Sequence, residues 1–306
     1  MNRTLALSLC ITALALTQSV RAQRLTSQLE TYDLATGQRS VIHRDTVRFE
    51  APNWTNDGRF LIINQGGKLY RVTLKTGRKE VINTDFATAC NNDHGLTPDG
   101  KTIIISHNDK RVTSGANSRV FTLPVAGGVP RLITEQAPSY WHGVSPDGKT
   151  LAYVGERTGT DGKRDYDIYT MPITGGTTET RLTTEPGLDD GPDYSPDGRY
   201  IYFNSIRSGR MQIWRMNADG SAPTQLTNDA YANWFPHPSP NGRYIVFISY
   251  VEDQGSAHPA DKDVMLRLMD LQSGALRELA RFRGGQGTIN VPSWSPDSKK
   301  FAFVSY

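Results

Sequence analysis

Six short stretches of this chain carry chemically able side chains at matching places ahead of a recurring Ser or Thr. Five residues before it stand Glu50, Asn92, Tyr140, Asp190, Trp234 and Asn290. Three residues before it stand His94 and His142 in neighbouring stretches, with Pro52, Pro192, Pro236 and Pro292 in the others. Residues two apart in an extended strand share a side, so both positions are expected to face the same way. Trp141, Asp189, Asp193, His237 and Gln286 lie close by in sequence. Aromatic rings beside carboxylates and amides suit a polyol or sugar. Trp141, Trp234 and Tyr140 would stack on an apolar ring face, Asn92, Asp190 and Asn290 would bind hydroxyls, and Glu50 completes the ligand-binding set.

The same stretches suggest a metal. Two histidines with a glutamine or carboxylate can hold a divalent cation and leave positions open for substrate oxygens. His94, His142, His237 and Gln286 are the candidate donors, for Mn, Ca or Zn. The ion would acidify a sugar C–H or activate water, with His94 or His142 as ligand or catalytic base. Neither HExxH nor a CxxC pair is present, so such a site has to be assembled from distant segments. The plain alternative for each polar residue is a solvated rim position, and for each histidine a cap on a neighbouring turn. Asp189, Asp190 and Asp193 cluster as in a calcium loop but lack EF-hand spacing.

What must position these residues is a repeat. The six stretches lead into Trp54-TNDGRFLII, Leu96-TPDGKTIII, Val144-SPDGKTLAY, Tyr194-SPDGRYIYF, Pro238-SPNGRYIVF and Trp294-SPDSKKFAF. The Ser/Thr positions, 55, 97, 145, 195, 239 and 295, are 42 to 56 residues apart, the range of four-stranded propeller blades. Pro presets one turn position, and Asp-Gly or Asn-Gly takes the positive φ of a tight β-turn. The Ile, Val, Tyr and Phe that follow suit a buried strand. Asp57, Asp99, Asp147, Asp197 and Asp297 recur turn after turn, which makes them turn formers instead of catalytic acids.

A second hairpin alternates with the first, for example LYRVTLKTGRKEVI and DIYTMPITGGTTETRLT. One copy, QLETYDLATGQRSVIH, precedes every inner motif, while the chain finishes on an inner motif, Trp294 to Tyr306. The two unpaired halves are expected to join as one blade, closing an all-β ring of six four-stranded blades over residues 23–306. Closure also removes exposed strand edges. Tight Gly turns share one rim. The longer links, such as Ser106 to Ser118 and Ser249 to Asp263, share the other, where His258 and Asp261 would form a lid over the mouth.

The SPDG(K/R) repeat and outer hairpins ending in LT resemble the WD40-like propeller repeats of the TolB family. The resemblance covers the chain after its leader and implies an exported propeller, without the α/β domain that precedes the propeller in TolB. It also implies a non-enzymatic alternative, in which the mouth receives an envelope protein. Propellers of prolyl-oligopeptidase-type peptidases are similar, but no GxSxG elbow is present. A weaker similarity, to oligogalacturonate lyases, rests on residue types at the mouth and implies His and Gln metal ligands, hence His94, His142, His237 and Gln286. That family has seven blades, against six counted here.

Composition narrows the partners. A formal net charge of +3 gives no bulk field for nucleic acid or an anionic membrane. Arg3, the apolar run Leu5 to Leu16 and Val20-Arg21-Ala22 read as a signal peptide cleaved after Ala22. The run is shorter than the roughly 20 residues that span a bilayer, so no membrane insertion is expected. Leu9 before Cys10 argues against a lipid anchor, and Cys90 alone survives export, without a disulfide partner. The expectation is a periplasmic or secreted propeller that binds an oligosaccharide or other polar small molecule at its mouth, with metal-assisted lyase or hydrolase chemistry if it is an enzyme.

Overall fold

Each inner hairpin is built by the same local bonds. Thr55 Oγ1 donates to Asp57 at 2.6 Å, Arg59 N–H donates to the same carboxylate at 3.0 Å, and Phe60 N–H donates to Thr55 Oγ1 at 3.1 Å. The hydroxyl-to-Asp or Asn bond recurs at Thr97–Asp99, Ser145–Asp147, Ser195–Asp197, Ser239–Asn241 and Ser295–Asp297. The repeated aspartates are therefore turn formers. In the last copy Ser298 replaces the turn glycine and still adopts φ 60°, while its hydroxyl accepts Asn241 N–H at 3.0 Å.

The computed structural model describes residues 26–113, 115–159 and 162–306, about half of them in strands. The expected leader, residues 1–22, lies outside them. The chain starts with β1 (Ser27–Asp33) and β2 (Arg39–Asp45). The next blade holds β3 (Glu50–Trp54), β4 (Phe60–Gln65), β5 (Lys68–Thr73) and β6 (Lys79–Val81). It is followed by β7 (Cys90–Leu96), β8 (Thr102–Asn108), β9 (Ser118–Pro124) and β10 (Arg131–Leu132). The third set is β11 (Ser139–Val144), β12 (Thr150–Thr158), β13 (Arg164–Pro172) and β14 (Thr180–Arg181). The fourth is β15 (Asp189–Tyr194), β16 (Tyr200–Ser205), β17 (Gln212–Asn217) and β18 (Thr224–Gln225). The fifth is β19 (Ala232–Pro238), β20 (Tyr244–Tyr250), β21 (Lys262–Asp270) and β22 (Leu276–Gly284), and β23 (Lys300–Ser305) ends the chain. Among the described residues there is no helix.

Every blade is antiparallel, and the ring closes as expected. β1 pairs with β23 from Gln28↔Ser305 to Asp33↔Lys300, in the sheet order β2-β1-β23. The innermost place of this blade differs from the other five. Residues before the turn meet β23 through an isolated Trp294↔Phe301 bridge, through Ala302 N–H to Ser293 O at 2.9 Å and through Val304 N–H to Thr288 O at 3.0 Å.

The second strands of the blades are buried on both faces, because each blade packs against a neighbour on either side. They therefore read as apolar runs instead of alternating. Leu61 and Ile63 of β4 face Leu29, Ala302 and Val304 of the closing blade, and Ile62 joins Ile103, Ile105 and Phe121 of the next. This packing holds the innermost strands around one axis.

Candidate functional site

The innermost strands do not run straight toward the axis. Register shifts interrupt β3 between Glu50 and Asn53, β7 between Cys90 and His94, β11 between Trp141 and Gly143, β15 between Asp190 and Asp193, and β19 between Trp234 and His237. A bulge breaks the two-residue alternation and re-aims side chains. Ala51, Gly191 and Phe235 take positive φ there, 56°, 62° and 54°. At Gly191 a Cβ would lie 2.8 Å from Asn204 Oδ1 and 3.0 Å from the Phe235 ring, so the bulge requires glycine.

These bulges open onto a cavity of about 820 Å³ on the rim of the long links. β7 contributes Asn91, Asn92 and Asp93, the end of β8 Asn108, and β11 Tyr140 and His142. Val154 of β12, Asp165 and Tyr166 of β13, Asp190 of β15 and Phe235 of β19 complete the strands' share, and Ser256, His258, Gln286 and Asn290 are among the residues that come from links.

His142 and Asp190 are its central pair. His142 Nε2–H donates to Asp190 Oδ1 at 3.1 Å, and Nδ1–H donates to Asn290 O at 3.3 Å. Burial by itself would lower the imidazole, but the Asp190 bond and charge, with the Asp93 charge, outweigh it and push His142 up to about 9. Both ring nitrogens meeting acceptors agrees with an imidazolium. Burial would likewise raise Asp190, yet His142 holds its carboxyl below the usual range. Phe235 stacks on the His142 ring at 5.9 Å.

A polar chain continues along the rim. His258 Nε2 lies 3.7 Å from Asp190 Oδ2, and its Nδ1 bonds Gln286 Oε1. Gln286 Oε1 also accepts Asn290 Nδ2–H at 3.0 Å, and Asn290 Oδ1 accepts Gly287 N–H at 2.7 Å. The His258 ring packs on Trp234 and Phe235 at 4.6 and 5.2 Å. Asp261, paired with it in the sequence reading, instead meets Arg48 at 3.3 Å.

Of the residues singled out from sequence, the cavity gathers Asn92, Tyr140, His142, Asp190, His258, Gln286 and Asn290. The rest lie outside its lining. His94 is fully buried, its Nε2 3.5 Å from Ile62 O, and burial lowers it to about 4, so it is a neutral core histidine. The cause is the bulge position. His94 pairs with Ile105 of β8, the partner that the equivalent place in β11 gives to Trp141, whereas His142 is the extra residue of its own bulge. His237 uses both ring nitrogens, toward Asp193 Oδ2 at 3.1 Å and Ile289 O at 2.8 Å, and so bonds three segments together. Trp141 is buried against Gly95, and Trp234 beneath Phe235 and His258, so neither offers a stacking face to the cavity. Glu50 is held by Arg48 at 2.8 Å, whose guanidinium stacks 3.9 Å from the Tyr306 ring.

The four expected metal donors do not assemble. His94 stands away from the cavity, and His237 has no free nitrogen. Among the described residues, no group of three or more His, Cys, Asp or Glu side chains is placed to hold a metal ion. The calcium-loop resemblance dissolves for a similar reason, since Asp189 pairs with Arg207 at 2.8 Å and Asp193 with His237.

The sequence reading missed Asp93, Asn91, Asn108, Asp165, Tyr166 and Phe235. Asp93 is 6% exposed. Burial raises it to about 7, the charges of Asp190 and Glu50 adding to the rise while His142 and the Asn91 amide oppose it. Its one sequence signal is the run Asn91-Asn92-Asp93, three polar residues at a bulge that opposes them to a single strand partner.

The fold and site together define a closed six-bladed β-propeller with an amide-rich, carboxylate-bearing axial cavity. TolB β-propeller domains as a family match residues 134–267. An uncharacterized protein from Agrobacterium fabrum is 49% identical over 281 residues, covering 92% of this chain and 92% of its own. A solved Agrobacterium tumefaciens structure, provisionally called TolB, superposes with a TM-score of 0.84 at 48% identity, over 92% of this chain and 98% of its own. The chain belongs to the TolB-like β-propeller family. An oligogalacturonate lyase from Vibrio parahaemolyticus is similar in fold alone, with a TM-score of 0.54 and 13% identity over 90% of this chain and 76% of its own.

Proposed function

We propose that this chain is a periplasmic binding propeller whose axial cavity takes an oligosaccharide. The observation that carries this reading is the lining, where the amides of Asn91, Asn92, Asn108, Gln286 and Asn290 share one cavity with Tyr140, Tyr166 and Phe235. A side-chain amide both donates and accepts, as a sugar hydroxyl does, so a set of amides matches a polyol without fixing one pattern. The half-buried rings of Tyr140 and Tyr166 replace Trp141 and Trp234 as stacking faces, while Phe235 is buried against His142. The volume, about 820 Å³, falls in the range of small-molecule sites. The expected metal donors do not assemble, so no metal-assisted step belongs to this reading. Export is supported by the leader-like segment ending at Ala22 and by membership of the TolB-like family.

The test is a thermal-shift screen against oligosaccharides of varied linkage and charge. A ligand at one hundred times its Kd stabilises by about 2.7 kcal/mol, or roughly 5 °C for a domain of this size. The shift should fall in Asn92→Ala and Gln286→Ala. A flat response across the screen would overturn the proposal.

A second reading is favoured by the family itself, namely that the mouth receives a segment of an envelope protein. It predicts one partner retained from envelope extract by the wild type and released by Asn92→Ala and Gln286→Ala at the mouth. It fails if oligosaccharide binding displaces nothing and no partner is retained.

A further inference from the structure

The buried acids of this protein are matched one by one with cations. Glu30 meets Arg39, Asp109 meets Arg111 and Arg119, Asp167 meets Arg181, and Asp189 meets Arg207. Asp190 meets His142 and Asp193 meets His237. Asp93 is the exception among the described residues. It is as buried as the others, it lines the cavity, and no ion pair reaches its carboxylate. Its own N–H is spent locally on Asn91 Oδ1 at 3.0 Å.

The cation whose charge reaches it, the His142 imidazolium, is already bonded to Asp190. The cavity is lined by Asp93, Asp165 and Asp190 and by no Lys or Arg. Asp165 is satisfied by Gly187 N–H at 2.7 Å and Tyr166 N–H at 2.8 Å, and Asp190 is taken by His142. His258 leans to Asp190 and Gln286. Asp93 and Asp190 thus share the His142 charge, which leaves one carboxylate at the cavity without an ion-pair partner of its own. An unpaired buried carboxylate is costly, and a cation brought by a ligand removes that cost. The half-buried rings of Tyr140 and Tyr166 are also cation–π faces.

We propose that the ligand of the axial cavity carries a positively charged nitrogen that pairs with Asp93, which makes an amino sugar the saccharide class that fits. This rests on the oligosaccharide reading above and narrows it. Amides receive the hydroxyls, the rings cover the apolar face, and Asp93 takes the ammonium.

Titration calorimetry of the mature protein with a glucosamine tetramer and with its N-acetylated counterpart tests it, because the two share a backbone and differ in charge. The expected result is at least tenfold tighter binding of the glucosamine tetramer, with the preference abolished in Asp93→Asn and the affinity for the neutral tetramer kept. That retained affinity also shows that the variant is folded. Equal affinities for the two tetramers overturn the inference and leave the oligosaccharide reading standing. If neither tetramer binds, the amino-sugar class is overturned, the oligosaccharide reading stands or falls on the thermal-shift screen, and spermidine then tests the charge alone. Spermidine binding that Asp93→Asn abolishes supports the pairing, and its absence overturns that as well.

Discussion

Replacing Asp93 with Asn keeps the size and shape of the side chain and removes its ability to ionise, so it isolates one buried charge. Burial lifts this carboxyl from 3.8 to about 7. One pKa unit corresponds to about 1.4 kcal/mol, so the ionised form costs the fold about 4 kcal/mol relative to the unfolded chain. The folded pKa is the higher one. The contribution is therefore fully present below about pH 4 and is lost as pH rises through about 7. Wild type and Asp93→Asn should be equally stable near pH 4, and the variant should pull ahead through neutrality to a lead of about 4 kcal/mol near pH 8. Taking the difference between the two proteins at each pH cancels most other titrations. Urea unfolding midpoints, with m-values compared to confirm like transitions, provide the assay. Parallel pH profiles, or a variant less stable than wild type at pH 8, would refute the assignment of Asp93 as an unpaired buried carboxyl.

Three other perturbations have outcomes set by the geometry. Asp190→Asn leaves the buried His142 imidazolium without its carboxylate and should destabilise by about 3–5 kcal/mol. Asp190 is held below 3.8 and His142 is raised from 6.5 to about 9, so that defect should be greatest between about pH 4 and 6.5 and fade as pH passes 9 in chemical-denaturation profiles. Gly95→Ala would set a Cβ 2.0 Å from the Trp141 ring, and overpacking of this kind costs about 1–3 kcal/mol or more, read as a lowered Tm with tryptophan fluorescence reporting the displaced ring. Removing residues 23–45 strips β1 and β2 from β23, and the expected outcome is a broadened, aggregation-prone unfolding transition in light scattering, since an apolar strand edge is then exposed.

The ring was legible because its information is local and repeated. The Thr55–Asp57 turn bond can be read from one stretch of sequence, and five further copies fix the number of blades. Closure followed from an unpaired outer hairpin at one end and an unpaired inner one at the other, which the β1–β23 ladder joins. The site was only partly legible, because bulges decide which side chains reach the axis. Aligning His94 with His142 on the downstream Ser/Thr is correct in sequence and wrong in space, since β7 and β11 place their extra residues differently. The same shift hid Asp93 one residue away. Trp141 and Trp234 looked like ligand platforms, but the glycine at 95 and the cover of Phe235 and His258 give them buried seats. His258 was read from sequence as a lid residue of the longest link and does fold onto the mouth, whereas Asp261 turns to Arg48.

A crystal structure of the protein with a bound glucosamine tetramer tests the account most directly. The predicted result is a sugar nitrogen about 2.7–3.2 Å from the Asp93 carboxylate, with hydroxyls on Asn92, Gln286 and Asn290. A tetramer seated at the opposite, proline-lined mouth around Pro98, Pro146 and Pro196, or on the outer strands, would contradict it.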